Sequence, residues 1–161
     1  MATLVTPVRL IAATVLLLLV LLAVGWATRE SPDDKPYLKI MGGGFVFNYR
    51  VADAFYGFTA AVIRPLPTGS VIEASFENPA GGEPFVVRQR VGTESIRYSL
   101  RTPPLQGIEA DKPYAVKIRV LDRDDRKVLW AHERSYRSEI ASEVMPEQPL
   151  TVGPGYARNP G

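Results

Sequence analysis

The chain has 161 residues, 46% of them hydrophobic, with 19 basic and 17 acidic side chains, one histidine and no cysteine. The apolar share excludes wholesale disorder, and the lack of cysteine excludes disulfide frameworks, thiolate metal sites and cysteine nucleophiles. Beyond Ala27 the charges are close to balance, which argues against the net-basic field of a nucleic-acid binder.

Residues 1–9 form a short leader that ends in Arg9. The run that follows, Leu10–Ala27 (LIAATVLLLLVLLAVGWA), has no charge and one hydroxyl, Thr14. As a helix it would rise about 27 Å, the thickness of a bilayer's hydrocarbon core. Eleven of its residues are Leu, Ile or Val, and together they favour insertion by about 3 to 7 kcal/mol. Arg29 and Lys35 on the far flank slightly outnumber Arg9, so counting bases does not fix the orientation. A short leader whose Arg abuts the apolar stretch is nevertheless the pattern of an export signal, with the amino terminus cytoplasmic. Nothing suggests a eukaryotic sorting signal. The expectation is a bacterial inner-membrane protein with a single pass, held in lipid by Leu10–Ala27, its carboxy-terminal domain in the periplasm. The alternative is a secretory signal cut after Ala27, where Gly25 and Ala27 are the small residues.

Residues 28–36 read as a linker, because ESPDDKP (30–36) combines charge with two prolines. Eight short strands follow, at 37–41, 45–50, 55–63, 71–77, 85–91, 96–101, 114–121 and 128–137. The clearest alternate strictly: Ile72, Ala74 and Phe76 oppose Glu73, Ser75 and Glu77, and Tyr114, Val116, Ile118 and Val120 oppose Lys117 and Arg119. RPLPTG (64–69) interrupts the ladder, since proline cannot sit inside it. DRDDRK (122–127) joins the last two strands. Such spacing predicts an all-β antiparallel sandwich over 37–144, each sheet burying one face. Residues 145–161, rich in Pro and Gly and without an apolar period, read as a disordered tail.

Within 107–120, Ile108 lies six residues before Tyr114, and Tyr114 opens the strand AVKIRV. This resembles the tyrosine corner of fibronectin type III domains, and the likeness extends through the terminal hairpin. It implies an immunoglobulin or fibronectin III-like sandwich in which the Tyr114 hydroxyl bonds back to the preceding connection. Two features depart from that family: no tryptophan stands early in the domain, and GGGF opens it.

No catalytic set assembles. His132 is the lone histidine, and there is no G-x-S-x-G elbow for a Ser–His–Asp site. Gly42, Gly43 and Gly44 lack the Lys-Ser/Thr and the helix of a phosphate loop, so a bulge or bend is expected. Asp122, Asp124 and Asp125 suggest calcium, but the loop has no turn glycine or distal Glu, and Arg123, Arg126 and Lys127 would repel the cation. No cofactor, metal or enzymatic activity is expected. The arginine pattern is more distinctive: if their strands share a sheet, Arg88, Arg90, Arg97, Arg101, Arg119 and Arg134 form a basic stripe with Lys117. Arg97, Arg101, Lys117, Arg119, Trp130 and Tyr136 are the candidate interaction surface, because Arg and aromatics are enriched at interfaces. The chain thus reads as a membrane-anchored accessory or interaction module, with an envelope or membrane protein as partner. The alternative is a secreted periplasmic protein that binds a small ligand or glycan.

Overall fold

Leu10–Ala27 lies within one helix, α1 (Pro7–Ala27), in the computed structural model, which describes residues 7–28, 35–92 and 95–160. Pro7 sits at the first position, where its missing N–H has no helical partner to lose. The Thr14 hydroxyl is satisfied inside the helix, donating to Leu10 O at 3.0 Å, and Thr28 Oγ1, one residue past the helix end, donates back to Val24 O at 2.8 Å. With a mean hydropathy of 2.7 over Leu10–Ala27, this helix is long and apolar enough to cross a membrane. Residues 1–6 of the expected leader and 29–34 of the expected linker lie outside the described residues.

Pro36–Gly161 forms a separate compact unit. Seven strands build two antiparallel sheets. The first joins β1 (Leu38–Asn48), β2 (Asp53–Val62) and β5 (Arg97–Arg101) in the order β1-β2-β5. The second joins β3 (Val71–Phe76), β4 (Phe85–Arg90), β6 (Pro113–Leu121) and β7 (Val128–Arg137) in the order β4-β3-β6-β7. Alternation decides which face each strand buries. Tyr56, Phe58 and Ala60 on β2 meet Ile72, Ala74 and Phe76 on β3 and Val116, Ile118 and Val120 on β6 in one core. Tyr56, fully buried, holds its centre. Its ring stacks on Phe45 at 4.6 Å and meets Phe76 edge-on at 5.2 Å. Ring pairs of this kind add about 0.5–1.5 kcal/mol each beyond their buried area.

The Tyr114 hydroxyl bonds back to the connection before its strand, accepting the Glu109 N–H at 2.8 Å, with Ile108 buried beside it. The hydroxyl satisfies a backbone donor within the loop that carries the chain from one sheet to the other.

Two expectations fail on their boundaries. The first two predicted strands are one: β1 runs from Leu38 to Asn48 through the three glycines, so among the described residues the two sheets hold seven strands and not eight. Pairing with β2 from Val62 back to Asp53 carries it across. The expected bulge is present, between Ile40 and Gly42. The tail is also ordered where it was read as disordered. Thr151–Val152 (β8) pairs with Ala157–Arg158 (β9), and the Thr151 N–H and hydroxyl both donate to Arg50 O, at 3.0 and 3.1 Å. Arg50 stacks over the Tyr156 ring at 5.2 Å. Here proline and glycine shape turns, and the bonds back to the β1–β2 turn hold the hairpin.

Candidate functional site

Because β2 turns Tyr56, Phe58 and Ala60 inward, Phe55, Gly57 and Thr59 face outward on the three-stranded sheet. The ladder register sets their neighbours in rows. Gly42, Thr59 and Ser99 form one row, Gly44, Gly57 and Arg101 the next, and Val46 and Phe55 a third. Glycines in two adjacent rows strip the middle of this face of side chains. The result is a shallow, open trough of about 780 Å³ whose rim includes Met41, Val46, Phe55 and Arg101. Met41 and Val46 are half-exposed apolar side chains. The Arg101 guanidinium lies over the Phe55 ring at 4.7 Å, and Thr59 and Ser99 share a hydrogen bond of 2.9 Å between their hydroxyls.

The glycines are there for different reasons. A Cβ on Gly57 would lie 2.3 Å from Leu100 O and 2.8 Å from Arg101 Cα, so the close approach of β5 to β2 demands glycine. A Cβ on Gly43, which faces inward, would lie 2.7 Å from the Tyr136 hydroxyl. A Cβ on Gly42 would meet nothing within 4 Å. Packing within the chain explains Gly43 and Gly57 and leaves Gly42 unexplained.

The six candidate residues do not form one surface. β5 and β6 belong to different sheets, so the basic stripe is divided. Arg101 stands at the trough, and Arg97 lies farther along the same face, across Ala61 from Lys39. Lys117 and Arg119 sit on the outer face of the four-stranded sheet. There Arg119 and Arg88 grip the nearly buried Glu73 carboxylate from two sides, and Arg88 also reaches Asp125 at 2.8 Å. Trp130 and Tyr136 lie on the core-facing side of β7, opposite Val120 and Tyr114. Tyr136 is buried with its hydroxyl unbonded, and burial raises its pKa above the usual phenol value.

His132 is exposed and stacks on Trp130 with ring centroids 5.6 Å apart. In the turn at 122–127, Asp122 Oδ1 accepts the N–H of Arg126 at 2.8 Å and of Lys127 at 3.2 Å, and these bonds lower its pKa. With Asp125 held by Arg88, two of the three carboxylates suggested for calcium serve the turn and an ion pair. Among the described residues, no group of three His, Cys, Asp or Glu side chains is placed to hold a metal.

Sequence reasoning found Arg101, singled out Gly42 as part of a bulge or bend with a close approach to a partner as the lesser reading, and missed Met41, Val46, Phe55 and Gly57. Gly57, isolated inside a strand pattern, is the one available signal, since it marks a close backbone approach. No protein-family model matches the chain, and no curated protein does either.

Proposed function

We propose that this protein is a membrane-anchored interaction module that presents the glycine-floored trough to a protein partner. Leu10–Ala27 stays in the bilayer as a single-pass anchor, with its one hydroxyl, Thr14, bonded within the helix, as a lipid surround requires. The following unit is a fibronectin III-like sandwich on the periplasmic side. The strand orders β1-β2-β5 and β4-β3-β6-β7 and the Tyr114 corner bond support that finer reading.

One observation carries the functional reading: the trough is an outward sheet face whose floor is bare at Gly42, where the chain itself has no use for the space. Its rim combines Met41, Phe55 and Arg101, types enriched in interfaces. The partner it suits is an extended segment with an apolar side chain against Met41 and Val46 and a carboxylate against Arg101. Backbone can lie close on glycine, and Arg presents a flat fork to a carboxylate.

A photocrosslinking amino acid placed at Met41 in the intact, membrane-extracted chain tests this. It is expected to join one defined partner, whereas the same probe at Ser135 on the other sheet's outer side joins none. Equal labelling from both positions refutes the trough assignment. A mature chain that begins at Thr28 refutes the anchor and favours an exported ligand-binding protein.

A further inference from the structure

We infer that the end of the sandwich nearest the helix in the chain docks on an anionic phospholipid surface. This rests on the reading of Leu10–Ala27 as a retained anchor. The two ends of the unit differ in charge. At the end where β1 begins, Lys39 and Arg97 flank Ala61. Arg64 follows β2, and Arg90 closes β4 with Nη1 donating to Gly69 O at 3.0 Å. Arg123, Arg126 and Lys127 project from the β6–β7 turn and are exposed. The acids described at this end are Asp122, Asp124 and Asp125, and two of them are turned onto backbone N–H groups or Arg88.

The opposite end is acidic. Glu77 and Glu83 flank the β3–β4 turn, Glu109 and Asp111 precede β6, and Glu143 and Glu147 follow β7, outnumbering Arg50, Lys112, Arg137 and Arg158 at the same end, where Lys112 pairs with Glu109. A bilayer rich in anionic headgroups attracts the first end and repels the second.

The basic end is also apolar at its tip. Ile63 is 52% exposed and Ile96 is 70% exposed, and the Val62 N–H donates to Ile96 O at 2.9 Å, which fixes the two strand ends side by side. Pro65 and Pro67 beside them are exposed as well. Bare isoleucines ringed by Arg and Lys suit the boundary between headgroups and acyl chains. The connection is long enough for this end to reach the membrane. Ten residues separate Ala27 from Leu38, so Leu38 stays within about 36 Å of the helix end.

The full chain in lipid nanodiscs tests the inference. The protein has no cysteine, so Ile96→Cys and Gln148→Cys each provide a single site for an environment-sensitive dye. In phosphatidylglycerol discs, acrylamide should quench the dye at position 96 about threefold less than in phosphatidylcholine discs, with the difference fading at 1 M salt, where screening acts within ~3 Å. The dye at 148 should be quenched equally in both. Lys39→Glu with Arg97→Glu should restore full quenching at 96. If the dye at 96 is equally accessible in both lipids, or the double variant stays protected, the docking inference falls while the anchor stands. If the chain does not co-elute with either disc, the anchor reading falls and takes the inference with it.

Discussion

The two outer faces of the sandwich solve the same problem in opposite ways. On the four-stranded sheet, Glu73 is drawn down between Arg88 and Arg119, and the charges satisfy one another. On the three-stranded sheet the middle is bare glycine, the apolar rim is open, and Arg101 leans on Phe55 with no carboxylate beside it among its described contacts. The first face is complete within the chain. The second has room for something else, which is why exposed arginines alone point poorly to an interface.

The largest expected effect comes from the floor of the trough. Gly57→Ala forces a Cβ into the backbone of β5 and should lower the unfolding free energy by about 2–3 kcal/mol. Gly42→Ala should change it by less than about 0.5 kcal/mol. Urea titration of both variants measures the contrast, and equal costs would mean that both glycines serve packing. Next comes the closed face. Glu73→Gln leaves two arginines without their shared carboxylate. Both guanidinium groups are about half exposed, so water screens them and the loss is about 1 kcal/mol. Arg101→Ala should cost less than about half of that, and only the Glu73 effect should shrink in high salt.

The core beneath both faces offers a smaller contrast. Tyr114→Phe strands the Glu109 N–H and should cost about 1 kcal/mol, whereas Tyr136→Phe removes an unbonded hydroxyl and should be neutral or slightly stabilising. Thermal melts of the two variants check this. The smallest effect concerns pH. The folded state lowers the Asp122 pKa below its ordinary 3.8, so its contribution is present above about pH 4. It is lost as pH falls through the lowered value and the carboxylate protonates. Asp122→Asn should therefore lower the neutral plateau slightly, flatten the acid limb of the stability curve, and converge with the unaltered protein at the acid end.

How much of this was legible from residues alone follows from the range of each interaction. Ile72, Ala74 and Phe76, and the alternation from Tyr114 to Val120, announced their buried faces, since strand periodicity is local. The Tyr114 bond to Glu109 spans five residues and was legible too, through the resemblance. The trough was not. It depends on Gly44, Gly57 and Arg101 falling in one row, and register between distant strands is not written in any one of them. The division of Arg97 and Arg101 from Lys117 and Arg119 was hidden for the same reason, as it follows from which sheet each strand joins. The tail was misread because its order comes from bonds to Arg50, some hundred residues earlier.

The account rests on the open face being the working one, and a bulky side chain on each face tests it most directly. Gly42→Trp fills the trough, and Lys117→Trp adds the same bulk to the other sheet. After mild-detergent extraction of the full chain, a partner that copurifies with the unaltered protein and with Lys117→Trp, but is lost from Gly42→Trp at an unchanged melting temperature, is the predicted result. Retention of that partner by Gly42→Trp, or its loss from Lys117→Trp alone, would contradict it.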